Sequence, residues 1–124
     1  MTYEERKALV RSYLGKTVEI EMDRPMGSGH PKRAEIVYPI NYGYLPGVIG
    51  GDGEEQDVYL LGVDVPVERY TARVIAVVHR ENDEEDKLVA APEEMTFTRE
   101  EIARAVYFQE KYYTSEIEVW KDGE

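Results

Sequence analysis

Carboxylate side chains stand close together in a glycine-rich loop that leads directly into an apolar run. Asp52, Glu54 and Asp57 lie within the segment D-G-E-E-Q-D, and the apolar residues 58–61 follow. The glycines on either side and within the segment allow backbone bends that turn several carboxylates towards one point. A flexible loop rich in anionic oxygen suits a hard divalent cation such as Mg²⁺ or Ca²⁺. Taken alone, the segment is also compatible with a solvated acidic hairpin.

A second carboxylate loop, E-N-D-E-E-D at residues 81–86, precedes the apolar segment 87–92. Because each loop adjoins a predicted buried strand, we expect the two loops to meet in space. Two such loops could hold two or more Mg²⁺ ions, which polarise phosphoryl oxygens and lower the pKa of a bridging water. The sequence therefore predicts a phosphate-hydrolysing metal site, although an isolated acidic run is usually a solvated turn.

Charge and composition restrict the partners. The formal net charge of −11 argues against nucleic acid or an anionic membrane, and it means that a polyanion would bind only together with cations. The absence of cysteine excludes disulfides and thiolate metal sites, and the two histidines lack zinc-ligand spacing. Without a signal-like or membrane-length apolar run, we expect a cytoplasmic protein, and 124 residues predict one domain spanning 1–124.

The order of predicted elements indicates the fold class. Capping-box patterns at residues 2–5 and 98–101 predict one helix at each end of the strand series, the second reaching about residue 113. Alternating or β-branched runs predict five or six short strands, at 17–22, 36–38, 58–61, 73–79, 87–91 and 116–120, and residues 45–47 predict a turn. We therefore expect a mainly β fold with α-helices (α+β), a small closed antiparallel β-barrel with two helices packed outside.

The segment Y-P-I-N-Y-G-Y at residues 38–44, followed by the first acidic loop, resembles the soluble family I inorganic pyrophosphatases. Their signature is Asp-x-Asp-Pro-x-Asp after a Y-P-x-N-Y-G-Y segment. The resemblance covers roughly residues 16–113 and is most specific over 38–57. It implies an OB-like barrel, hydrolysis of inorganic pyrophosphate to two phosphates with Mg²⁺ or possible Mn²⁺ as cofactor, and a homo-oligomer.

The resemblance also implies site residues. In the first loop, Asp52 and Asp57 fall on the outer aspartates of the signature as metal ligands, and Glu54 falls on its middle aspartate, so that Glu54 and Asp57 are the expected catalytic pair. The further metal ligands implied are Asp83, Asp86 and Glu21. The substrate-binding residues implied are Lys32, Tyr42, Lys87 and Tyr112. The second loop is about two residues shorter than the family form, so Glu85 is an alternative to Asp86.

This chain departs from the family pattern at the expected site. Glu54 is one methylene longer than the family's general base, and Glu55 stands where the signature has proline. Tyr113 occupies the place of a phosphate-binding lysine. These changes predict slow or redirected turnover.

The segment between Lys32 and Tyr38 is too short for the hairpin that carries a phosphate-binding arginine in the typical family member. Arg24 or Arg33 are the possible substitutes. Two alternatives to pyrophosphate hydrolysis therefore stay open: a hydrolase of another phosphoanhydride or phosphoester, and a non-catalytic protein of the same fold that binds metal or phosphate.

Overall fold

The computed structural model describes residues 1–121. Its elements follow the order α1 (Tyr3–Arg11), β1 (Thr17–Arg24), β2 (Asn41–Ile49), β3 (Glu55–Leu60), β4 (Arg69–Arg80), β5 (Lys87–Ala91), α2 (Arg99–Glu110) and β6 (Ser115–Val119). Within the described part of the chain, neither helix has the length and apolar content needed to cross a membrane.

The first five strands close into a barrel. Hydrogen bonding runs in the order β1-β2-β3-β5-β4-β6, and a further pairing of β1 with β4 completes the ring and leaves β6 outside it. The predicted closed barrel with two helices is confirmed, but it is mixed, because β3 and β5 run parallel. In the chain, the long β4 comes between β3 and β5 and runs in the opposite direction. Strand β5 therefore enters the sheet in the same direction as β3.

Two apolar clusters lie on opposite faces of the strands. Val58 and Leu60 of β3 belong to a cluster with contributions from all five barrel strands, which fills the barrel. Tyr59 and Leu61 instead belong to the cluster that contains the α2 residues, on the outer face. The alternation explains why the central strands are apolar on both faces.

Both helices begin at the predicted capping boxes and cover opposite parts of the barrel. Thr2 caps α1, and Val10 of α1 packs into the barrel cluster. Thr98 caps α2, whose Ile102 and Val106 lie on the outer cluster. Each helix is therefore fixed by one apolar stripe, as expected for short amphipathic helices.

Two local predictions differ from the structure. Residues 45–47 lie within β2 rather than in a turn, at a place where the pairing of β2 with β3 shifts after Tyr44. Pro46 is tolerated there because this irregular segment does not need its missing N–H for the ladder. The predicted strand 36–38 is reduced to one isolated bridge between Gly29 and Val37.

We predict that Gly43→Ala destabilises the barrel. A Cβ at residue 43 would collide with the backbone of Glu21 and Met22 in β1, which cannot move without breaking the β1–β2 pairing. The expected loss is about 1–3 kcal/mol in the free energy of unfolding, measured by urea denaturation. Gly29→Ala is the control because no atom lies within 4 Å of its added Cβ. Equal stability of the two variants would contradict the tight β1–β2 contact.

Candidate active site

A polar cavity of about 240 Å³ lies where the second acidic loop meets the C-terminal end of α2. Its lining contains three groups of polar side chains: the cations Arg33, Arg80 and Lys87, the carboxylates Asp57 and Glu85, and the phenols Tyr38, Tyr42, Tyr112 and Tyr113. These groups contain three cations and two carboxylates, so the cavity is locally less acidic than the chain as a whole.

The Lys87 ammonium joins the two acidic loops at the bottom of this cavity. Lys87 begins β5 and is 3% exposed. Its Nζ donates a hydrogen bond to Asp57 Oδ2 at 2.6 Å and another to Glu85 Oε1. Burial opposes the charged form of Lys87, but the charges of Asp57 and Glu85 outweigh it and raise its pKa. This residue therefore stays a cation that compensates one carboxylate from each loop.

The loops also meet directly, through Asp52 and Glu85. Burial raises the pKa of Glu85 to about 7, against the effect of Lys87, and a hydrogen bond to Asp52 adds to the rise. Burial would raise the pKa of Asp52 as well, but the same hydrogen bond from Glu85 helps to lower it. Of this pair, Glu85 therefore keeps a proton to higher pH than Asp52, and the expectation that the two loops meet is confirmed.

Gly51 permits this close approach. A Cβ at residue 51 would lie 2.5 Å from the carbonyl oxygen of Glu84 and 2.5 Å from Cδ of Arg6. The two loop backbones and helix α1 therefore touch at one point, where only glycine fits.

Arg80 ties the second acidic loop to the end of α2. Its guanidinium makes two hydrogen bonds to Glu110, at 2.6 and 3.1 Å, and one to Asp83 Oδ2 at 2.8 Å. It also lies 3.7 Å from the ring centroid of Tyr113. Burial would lower the pKa of Arg80, but the hydrogen bonds and charge of Glu110 raise it, so the side chain stays charged. Tyr113 therefore covers a cation supplied from β4.

A buried hydrogen-bond network continues from Arg80 beneath the outer wall of the cavity. Glu110 accepts from Tyr59 at 2.7 Å, and Tyr59 accepts from Gln109 at 2.8 Å. Gln109 in turn accepts from Tyr38 at 3.1 Å. Because every member has a partner, the network holds the tyrosine wall in one arrangement.

The rim of the cavity contains Arg33 and Tyr112. The Arg33 guanidinium lies 4.5 Å from the ring centroid of Tyr112. Of the two arginines proposed as substitutes for the missing hairpin, Arg33 lines the cavity and Arg24 does not. Tyr42 lines the inner wall, and burial, with the charge of Asp57, raises its pKa well above the usual value. Its hydroxyl therefore stays protonated and is a hydrogen-bond donor.

Asp86 lies on the opposite side of β5 from this cavity. Its side chain is fully buried, and Oδ1 accepts from Lys7 Nζ at 2.9 Å and from the Arg80 amide at 2.8 Å. Oδ2 lies 3.4 Å from Nδ1 of His79. Of the two residues that the sequence left open as a ligand, Glu85 lines the cavity and Asp86 does not, and the ligand role itself stays a prediction. Successive side chains at the start of a strand point to opposite faces.

Five other expected site residues lie outside the cavity lining, and one of them is Asp52, which contacts Glu85. Glu21 accepts from Tyr44 at 2.9 Å and lies 3.6 Å from Arg69. Asp83 is held by Arg80 at the loop, and Lys32 and Glu54 are exposed. Their roles stay predictions, and of the ten expected residues the cavity lining brings together Asp57, Lys87, Tyr42 and Tyr112.

The carboxylates have the right chemistry for one hard cation, but their charges are compensated within the chain. Across residues 1–121, no three acidic or histidine side chains are arranged as ligands of one metal ion. Lys87 lies between Asp57 and Glu85, and a proton neutralises Glu85 beside Asp52. For Asp52, Asp57 and Glu85 to hold a cation together, that proton would have to leave and the Lys87 contacts would have to change.

Sequence reasoning missed Arg80 and the pair Gln109 and Glu110. The sequence did contain a signal for these residues. A charged or amide residue within an apolar element is buried only when it has a partner. Arg80 ends the most apolar strand, and Glu110 ends the apolar stripe of α2. Their pairing, however, depends on how α2 crosses the barrel.

Solved structures show the fold class of the protein. The inorganic pyrophosphatase of Ehrlichia chaffeensis is similar with a TM-score of 0.66 and 21% identity, covering 86% of this chain and 87% of that chain. The enzyme of Coxiella burnetii gives 0.63 and 19%, covering 88% of each chain. That of Helicobacter pylori gives 0.61 and 20%, covering 86% and 84%. The barrel is therefore the OB-like pyrophosphatase fold.

The family follows from the sequence itself. The model of the inorganic pyrophosphatase family matches residues 13–120. The chain belongs to this family of hydrolases, as the motif predicted. A comparison with curated proteins gives no match.

We predict that Glu85→Gln becomes more stable relative to the unsubstituted protein as the pH rises. A carboxyl whose pKa is raised from 4.5 to about 7 by folding contributes stability that is present below pH 4.5 and lost as the pH passes 7. Glutamine cannot ionise, so the variant should gain about 1–3 kcal/mol of relative stability between pH 4.5 and 8. Urea denaturation in EDTA measures this difference.

The exposed neighbour Glu84 supplies the control for this series. Glu84→Gln should keep a constant difference from the unsubstituted protein across the same pH range. If Glu85→Gln also keeps a constant difference, the Glu85 carboxyl is not held in its protonated form.

Proposed function

We propose that this protein hydrolyses inorganic pyrophosphate to two phosphates and requires a divalent cation, Mg²⁺ or Mn²⁺. One observation carries the proposal: carboxylates from two loops converge on Lys87 at the bottom of a cavity whose walls provide guanidinium and phenol donors. Membership of the inorganic pyrophosphatase family supports the same reaction. We also propose a cytoplasmic homo-oligomer, on the strength of the sequence resemblance.

The walls of the cavity would hold the phosphates. Lys87 and Tyr42 lie at the bottom, with Nζ 5.5 Å from the ring centroid. Arg33 and Tyr112 lie at the rim. Donors at both ends of one cavity can hold the two phosphoryl groups of pyrophosphate in a fixed orientation. Binding would then also orient the phosphorus atom for attack by water. Arg33 would substitute for the arginine of the missing hairpin, and the substrate-binding role of the exposed Lys32 stays a prediction.

Asp52, Asp57 and Glu85 would hold the cation. When bound, it supplies charge neutralisation at the phosphoryl oxygens and a lower pKa for a water molecule. Asp57 has a further role, because its contact with Lys87 positions the ammonium that faces the substrate. Glu54, on the same loop as Asp52, is the proposed general base, and its exposed side chain leaves it free to reach a water.

A hydrolase of another phosphoanhydride or phosphoester is the second candidate. The observation that favours it is the shortage of free positive charge: Arg80 and Lys87 are both paired with carboxylates. Arg33 is the one cavity-lining cation that makes no ion pair among residues 1–121. A substrate with less charge on its second group would fit this distribution. If no substrate is turned over, the protein binds metal or phosphate without catalysis.

We predict that Asp57→Asn lowers the rate of phosphate release from pyrophosphate on the order of 100-fold or more, the range seen when one electrostatic stabiliser is removed. The change keeps the shape of the side chain but removes the charge that faces Lys87 and the cation. Phosphate release with millimolar Mg²⁺ is the measurement, run beside nucleotides and phosphomonoesters.

Glu94→Gln is the matched control because Glu94 is an exposed carboxylate remote from the cavity lining. It should retain the activity of the unsubstituted protein. Equal rates for the Asp57→Asn and Glu94→Gln proteins would show that the site is misplaced. Faster release from another phosphate compound than from pyrophosphate would favour the second candidate.

A further inference from the structure

Helix α1 precedes residues 13–120, which match the family, yet two of its basic side chains reach the acidic loops. Arg6 and Lys7 are 7% and 8% exposed, which is unusual for basic residues on a short terminal helix. Burial of two adjacent cations demands partners. The partners lie in the loops that form the cavity.

Arg6 holds the backbone of the second acidic loop. Its Nη1 donates to the carbonyl oxygen of Asp83 at 2.6 Å, and its Nη2 donates to the carbonyl oxygen of Arg80 at 2.7 Å. These carbonyls flank the turn of the loop, so one planar guanidinium fixes both sides of it. Charged donors make hydrogen bonds about twice as strong as neutral ones.

The same side chain touches the first acidic loop. The aliphatic stem of Arg6 packs on Gly51, where an added Cβ would lie 2.5 Å from Cδ of the arginine. The carbonyl oxygen of Glu84 approaches Gly51 equally closely. Arg6 therefore contacts both loops at the point where they meet.

We propose that Arg6 is a positioning residue that sets the distance between the two acidic loops, and through it the geometry of Asp52, Asp57 and Glu85. It does not contact the cavity. Lys7 supports it from the next position, through Asp86 Oδ1 at 2.9 Å. The proposal rests on the proposed function only for its catalytic consequence, since the loop geometry itself can be observed without substrate.

The test is hydrogen–deuterium exchange on the whole protein carrying Arg6→Met, with Arg11→Met as the matched control. Arg11 lies on the same helix, but the hydrogen bonds and ion pair of its side chain go to Glu118 at the surface. Arg6→Met should speed amide exchange at residues 51–54 and 81–86 about tenfold or more relative to β3 and β4, because two charged hydrogen bonds are lost. Arg11→Met should leave these loops unchanged.

Arg6→Lys is the second variant, which keeps the charge and most of the stem. Its ammonium is a point charge that cannot span both carbonyls as the guanidinium fork does. Loop exchange should therefore rise by less than in Arg6→Met. Unchanged loop exchange in Arg6→Met, or an equal rise across the barrel strands, would overturn the proposal.

Cation binding and kinetics separate this inference from the proposed function. Calorimetric titration with Mn²⁺ should show weaker binding by about tenfold in Arg6→Met and no change in Arg11→Met. In a pyrophosphate assay, kcat should fall in Arg6→Met while KM changes little, because the residue does not touch the substrate. Loosened loops in a protein that does not hydrolyse pyrophosphate would refute the proposed function and leave the role of Arg6 standing. Normal pyrophosphate hydrolysis together with unchanged loop exchange in Arg6→Met would refute the role of Arg6 and leave the proposed function standing.

Discussion

The buried ammonium of Lys87 is the interaction on which the arrangement of the site depends. Two acidic loops in a chain of net charge −11 repel one another, and Lys87 stands between a carboxylate of each. The pairing lets Asp57 and Glu85 approach in a partly buried place without an external cation. A proton on Glu85 beside Asp52 removes one further negative charge. Breaking such a pair from one side is costly, because it leaves buried charge without compensation.

Consecutive side chains at the start of β5 point to opposite faces and have different roles. Glu85 faces the cavity, Asp86 turns into the barrel side with Lys7 and His79, and Lys87 returns to the cavity. The alternation of a strand therefore separates a charge that serves the site from a charge that anchors α1. Arg80 performs a similar double role on β4, since it fixes Asp83 in the loop and Glu110 on α2. The ion pairs that fix the cavity walls are therefore the same ion pairs that hold the loop and α2 in place.

Much of this arrangement could be predicted from the sequence, and the exceptions have physical causes. The capping boxes located both helices, because caps act through local hydrogen bonds. The Y-P-I-N-Y-G-Y motif and its acidic loop identified the family, and the position of each acidic loop next to a buried strand predicted that the loops meet. The sequence pattern could not show that Glu85, rather than Asp86, faces the cavity. The loop is shortened, and its length does not fix which residues of the next strand face which side. The parallel β3–β5 pairing and the Arg80–Glu110 contact depend on long-range packing, which local periodicity does not report.

The central claim, that Lys87 holds the acidic loops together in the absence of a divalent cation, is tested most directly by the melting temperature of Lys87→Met with EDTA and with Mg²⁺. In EDTA the variant should melt lower than the unsubstituted protein by on the order of 10 °C, the effect of leaving two paired carboxylates without their counter-ion. Mg²⁺ should then raise the melting temperature of the variant more than that of the unsubstituted protein, because the cation replaces the lost charge in the native state. Equal melting temperatures of the two proteins in EDTA would contradict the claim.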